Sequence, residues 1–301
     1  MSKKTVSRVL LYTVLLAAVI VFMQILGRFK WKDYTNVKES EDFIIYSDTT
    51  EEKTQMYYDF LVSFKQHFED KFFIPGEYRR LKVYIFSDPN KYMQFSKRVR
   101  YNTPYGFYLF KERLLVFNEV SGIGTLLHET THHFNHNSGW EYPKWFDEGL
   151  AAFFEKFLAM ETSPGTYVFS FGYFNPWRFE ETYNILVNSN GSFRDFIGHE
   201  KPVQSMARSF LLFMHRKGLL GKAIEKITEG EDNEKILEGI FGKNILEIES
   251  EWRDWVEDSR SDADVMLMDS SIVLTEEQIE YWTKGKRAVW DPEKEIYTTH
   301  R

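Results

Sequence analysis

Two histidines four residues apart, the first followed directly by a glutamate, occur in Leu127-His128-Glu129-Thr130-Thr131-His132. At about 3.6 residues per turn, His128 and His132 share one helix face, so both imidazoles can reach one ion. Glu129 is turned by about 100° from His128 on such a helix, placed to address a water on that ion without being a ligand itself. This motif constrains the fold more than any other feature. It requires a helix with one open face and a second element that carries a further ligand to it. The chain has no cysteine, so any metal must be held by His, Asp or Glu.

The segment Pro143-Lys144-Trp145-Phe146-Asp147-Glu148-Gly149-Leu150-Ala151-Ala152 reads as a helix beginning near its proline. Glu148 lies in it and is the candidate third ligand. A turn at His136-Asn137-Ser138-Gly139 lets this helix fold back beside the first. His136 competes for the same role because it continues the four-residue spacing. It would stand about 12 Å from His128 along one straight helix, so it could serve only if the helix ended after His132. His133 is turned away from His132 and is expected to face a neighbour or solvent. Asp147 points elsewhere than Glu148 on an ideal helix. It is either a partner of a ligand or, more simply, an exposed first-turn acid.

Before this motif the chain reads mainly as strands, after it mainly as helices. Strands are expected at 43–46, 81–86, 106–110 and 114–117, the last two joined as a hairpin by Lys111-Glu112-Arg113. Helices are expected from about 51 to 72, with Tyr57, Phe60, Leu61, Phe64 and Phe68 at helical spacing, and again after Ser87-Asp88-Pro89. From 122 to about 257 the patterns are helical: 123–134, 143–157, 203–217, 220–228, 233–241 and 245–256. Strands followed by helices make an α+β fold, a small N-terminal mixed sheet followed by a mainly helical part. The expected organisation is an anchor at 1–32, a connector at 33–42, a body at 43–257 and a polar tail at 258–301.

Residues 9–27 contain no charged side chain and are mostly Leu, Val, Ile and Ala. As a helix they reach about 28 Å, close to a bilayer's hydrocarbon core, so this segment is expected to cross a membrane once. Lys3, Lys4 and Arg8 precede it and no small-residue cleavage site follows, which favours an uncleaved signal anchor. Cations stand on both sides, so charge barely sets the orientation. The cytoplasmic N-terminus usual for such anchors places the body outside. The chain carries −7 overall, and its first 32 residues are purely basic, so the body is more acidic still. An acidic body without a basic stripe argues against a nucleic-acid partner.

The pairing of His128–His132 with Trp145-Phe146-Asp147-Glu148-Gly149-Leu150-Ala151 resembles the gluzincin metallopeptidases, specifically the bacterial peptidase MA-like group. The resemblance spans about 40–257. It includes Gly106-Phe107-Tyr108, Gln204-Ser205 at the start of a long helix, and Phe241-Gly242 before a final helix with Glu249 and Trp252. It implies a zincin-like fold, one Zn2+ on His128, His132 and Glu148, Glu129 as general base, and hydrolysis of a peptide or protein substrate. Relatives often carry a tyrosine before the Gln-Ser pair, where this chain has Pro202-Val203, so that tyrosine's role does not carry over. Tyr167, Tyr173, Tyr183, Arg208 and His215 are candidates for a second oxyanion donor, though packing or surface charge explains each as simply. The alternative function is a catalytically silent zincin-fold scaffold or peptide-binding protein of the cell envelope.

Overall fold

The computed structural model describes residues 34–72, 79–137, 141–188, 193–198, 203–227, 232–260, 272–274, 288–291 and 296–299. The elements below all belong to one compact unit, Asn36–Arg301. The expected membrane segment at 9–27 lies outside the described residues, and among these no helix is long and apolar enough to cross a membrane.

The N-terminal part is a five-stranded sheet. Its strands are β1 (Asn36–Glu39), β2 (Phe43–Ser47), β3 (Leu81–Phe86), β4 (Gly106–Leu109) and β5 (Leu114–Asn118), in the spatial order β1-β2-β3-β5-β4. The central pairs β2–β3 and β3–β5 are parallel, while β1 and β4 close the edges antiparallel. Parallel neighbours need crossover connections. Helix α1 (Glu51–Phe72) joins β2 to β3, and α2 (Pro89–Arg98) lies between β3 and β4. Thr50 Oγ1 accepts from the Lys53 amide, and Asp88 caps α2 by accepting from the Asn90 amide at 2.8 Å. Residues 33–42, expected as a connector, include β1, which pairs along β2.

The C-terminal part is mainly helical: α3 (Ile123–Asn137), α4 (Lys144–Phe154), α5 (Pro176–Tyr183), α6 (Phe193–Gly198), α7 (Gln204–Arg216), α8 (Leu220–Lys226), α9 (Asn233–Phe241) and α10 (Ile245–Asp258). One correction to the sequence reading falls here. The expected helix at 143–157 stops at Phe154, and an antiparallel hairpin follows, β6 (Phe157–Ser163) and β7 (Thr166–Phe171). Within the expected tail, β8 (Ile272–Leu274) adds parallel to β6, and β9 (Ala288–Asp291) pairs with β10 (Ile296–Thr299).

The abundant phenylalanines join these parts. Phe64 of α1 is fully buried, and its ring lies 5.7 to 6.0 Å from those of Phe68, Phe134, Phe154, Phe169 and Phe171. One side chain thus touches the helix of the histidine motif, the end of α4 and the hairpin. Burying a side chain of this kind contributes about 1.5–3 kcal/mol. A second cluster, Trp145, Phe193, Phe196, Phe210 and Trp252, packs α4 against α6, α7 and α10. The back faces of α3 and α4 are therefore fixed, and their front faces open onto a cleft.

Candidate metal centre

Helix α3 buries Leu126, Leu127, Thr130, Thr131 and Phe134. The two threonines between the histidines do not reach the cleft. Their hydroxyls donate to the carbonyls of Leu126 and Leu127, at 2.7 and 2.8 Å, which satisfies both buried groups within the helix. His128, Glu129 and His132 face the cleft instead. Helix α4 runs beside α3 and brings Glu148 opposite them. Its Oε2 lies 3.9 Å from Nε2 of both His128 and His132. The structure thus brings together the residues picked out from the sequence as ligands, with Glu129 beside them.

Each histidine has a carboxylate behind it. His132 Nδ1 donates to Asp147 Oδ2 at 2.9 Å, and Asn135 donates to the other Asp147 oxygen at 2.7 Å. Asp147 is therefore not an exposed first-turn acid. His128 Nδ1 lies 3.2 Å from Glu155 Oε2. Glu155 is gripped at both oxygens by Arg178, at 2.5 and 2.9 Å, and also accepts from Asn175 at 3.1 Å. Burial works against the charge on Glu155, yet His128 and Arg178 outweigh it and hold its carboxyl down to about 2. Asp147 is likewise held well below the usual carboxylate range, because His132 and His136 offset its burial. Burial opposes a charged His132 too, but Asp147, Glu129 and Glu148 push that imidazole up to about 10. Carboxylates behind ligand imidazoles fix the ring and raise its basicity.

Glu129 is half-buried, and burial pushes its carboxyl up, with His128 and His132 pulling the other way. Above it passes β4, an edge strand of its sheet. A Cβ at Gly106 would stand 2.9 Å from Thr125 Cγ2, 3.1 Å from the Val116 carbonyl and 3.5 Å from Glu129 Cγ. Only glycine lets the strand lie this close to the helix. The cleft between β4 and α4 has a volume of about 830 Å³. Tyr101, Tyr105, Tyr108 and Phe110 line its β4 side, while Asn175, Arg178 and Gln204 line the side of the later helices.

His136 does not join the first ligand group. Its Nε2 lies 3.4 Å from Asp147 Oδ2, and its ring packs against Phe110. His132, His136 and Asp147 do form a second cluster of potential donors. Their atoms, however, already contact one another directly, at 2.9 and 3.4 Å. The wider spacing of His128, His132 and Glu148 leaves room for an ion between them. His133 faces a neighbour: Tyr108 donates its hydroxyl proton to Nδ1 at 3.0 Å.

None of the five side chains considered as oxyanion donors lines the cleft. Arg208 is buried, donating to the carbonyls of Ala152 and Tyr173. Tyr167 packs on Phe60, and His215 packs on Phe153. Tyr173 donates to Ser170, and Tyr183 lies under Arg260. The sequence reading missed Glu155 and Arg178 as parts of the site. No protein-family model matches the chain, and no curated protein matches it at a significant level.

Proposed function

We propose that this chain is a zinc-dependent peptidase of zincin type, tethered to a bilayer by residues 9–27 with its body on the extracytoplasmic side. The single observation that carries the reading is the convergence of His128, His132 and Glu148 on one point of an open cleft, with Glu129 beside them. The donor set suits zinc: two imidazoles and one carboxylate are a catalytic combination that leaves a position open. Ligand atoms about 2.0–2.1 Å from a tetrahedral ion lie about 3.3 Å apart, and the 3.9 Å separations here need only a small closure. Bound there, zinc supplies Lewis-acid polarisation and brings the pKa of water towards neutrality.

The chain's own residues do the remaining work. Glu129, lifted from the usual carboxylate range by burial, takes the proton of the attacking water. A bond forms from that water's oxygen to the peptide carbonyl carbon, the carbon–nitrogen bond breaks, and Glu129 returns the proton to the leaving amine. The outer edge of β4 offers backbone groups to an extended substrate strand. The test is elemental analysis of the full-length chain with its Glu129→Gln and Glu148→Ala variants, followed by a peptide-cleavage screen. About one zinc per chain is expected, retained in Glu129→Gln with cleavage abolished and weakened in Glu148→Ala. A folded wild-type chain that takes up no zinc when it is supplied would sink this reading.

A further inference from the structure

We propose that Gln204 and Arg178 are positioning residues that link two candidate metal ligands, Glu148 and His128, through one chain of polar contacts. This role presupposes the metal site proposed above and adds to it. Gln204 is the first residue of α7, and its Nε2 donates to Glu148 Oε2 at 2.7 Å. That oxygen is the same one that faces both imidazoles. Gln204 Oε1 in turn accepts from Arg178 Nη1 at 3.1 Å. Arg178 clamps Glu155 with Nε and Nη2, and Glu155 stands behind His128 Nδ1. From Glu148 to His128 the chain thus passes through Gln204, Arg178 and Glu155.

Two features make this a support for the ligands. The Gln204 amide has one orientation that suits both neighbours. The reverse would set its NH2 against a guanidinium and its oxygen against a carboxylate. Glu148, in contrast, is a partly exposed side chain with several rotatable bonds. Its own helix does not fix it, and the bond from Gln204 aims its carboxylate at the imidazoles. Arg178 lines the cleft, yet three of its nitrogens are engaged inside this chain and its side chain is mostly buried, so these contacts hold its charge against Glu155 and Gln204.

The experiment is zinc affinity by chelator competition, with the visible spectrum of the cobalt-substituted protein, on the full-length chain. Gln204→Leu removes both bonds at similar volume, and Gln204→Asn is the milder variant. Arg178→Lys keeps the charge but loses the fork. Each is expected to weaken zinc binding about 10–100-fold and to shift the cobalt bands; the metal-free Gln204 variants melt near the metal-free wild type, whereas metal-free Arg178→Lys, which opens a buried clamp, melts lower. The double variant Gln204→Leu, Arg178→Lys is expected to lose no more than the worse single one, since both act through one chain. Zinc affinity within about threefold of wild type in Gln204→Leu, well inside the usual loss, with an unchanged cobalt spectrum, overturns the proposal alone. A wild-type chain that binds neither metal overturns the metal site and this role together.

Discussion

Asp147 Oδ2 lies 2.9 Å from His132 Nδ1, while the next residue, Glu148, sets Oε2 3.9 Å from Nε2 of the same ring. Consecutive carboxylates thus address opposite nitrogens of one imidazole. Asp147→Ala leaves that buried N–H without its acceptor and also removes the bond that Asn135 donates to Asp147. Zinc affinity is expected to fall about 10–100-fold, measured by chelator competition. Asp147→Asn, which keeps an acceptor oxygen, is expected to fall less. Equal affinities in all three proteins would mean that Asp147 does not hold the ring.

Gly106→Val tests the close approach of β4 to α3. The added side chain meets Thr125 and the Val116 backbone, so the strand must lift from Glu129. Peptide cleavage is expected to drop by about 10²-fold or more, as small misplacements at a reacting centre do. Zinc content should not change, because Gly106 is on the sheet and the ligands are on the helices. Cleavage at the wild-type rate would show that the strand's closeness does not matter to the reaction.

His133 predicts a pH dependence. It is 1% exposed, and burial pushes its imidazole down to about 3, below the ordinary 6.5. The unfolded chain therefore binds a proton between these values that the folded chain refuses, so stability is present above pH 6.5 and is lost as pH falls towards 3. One proton corresponds to about 1.4 kcal/mol per pH unit within that window. The difference between wild type and His133→Gln, read by denaturant unfolding of the metal-free proteins between pH 6.5 and 5, isolates this slope, because His132 and the depressed carboxyls titrate in both. Wild type should lose stability more steeply than His133→Gln as pH falls. Equal slopes in the two proteins assign the effect elsewhere.

Gly149 follows Glu148 and faces α7. A Cβ there would lie 3.0 Å from one Leu211 methyl and 3.3 Å from the Ala207 carbonyl. Gly149→Val overfills that contact and is expected to cost about 1–3 kcal/mol. This should appear as a lower melting temperature and, because Glu148 is adjacent, as weaker zinc binding. Leu211→Ala makes room and should recover part of both losses in the double variant.

The two histidines of the candidate site were legible in the sequence because a helix repeats at nearly four residues, and no long-range fact is needed to put His128 and His132 together. The supports were less so. Asp147 looked wrong for the site because adjacent helical residues diverge by about 100°. That divergence is what two nitrogens on opposite sides of one ring require. Glu155 lies in no spacing motif with His128, and Arg178 and Gln204 reach the site only once α5 and α7 have packed. The hairpin β6–β7 was read as helix or left unread. The run from Leu150 to Met160 is apolar apart from Glu155-Lys156 and holds no glycine or proline, so no turn residue marks where α4 gives way to β6. The first break, Ser163-Pro164-Gly165, falls at the hairpin turn instead. In the N-terminal half the strands were bounded by turn residues, and the central ones lie where their patterns put them. The edge strand β1 was hidden in a polar stretch.

The candidate ligands lie between positions 128 and 148, whereas the groups that steady them extend to position 204. A growing or truncated chain could therefore present all three donors before anything holds Glu148 in place. For the proposed metal site, grip on an ion would then gauge assembly, loose on the bare helix pair and tighter once α5 and α7 dock.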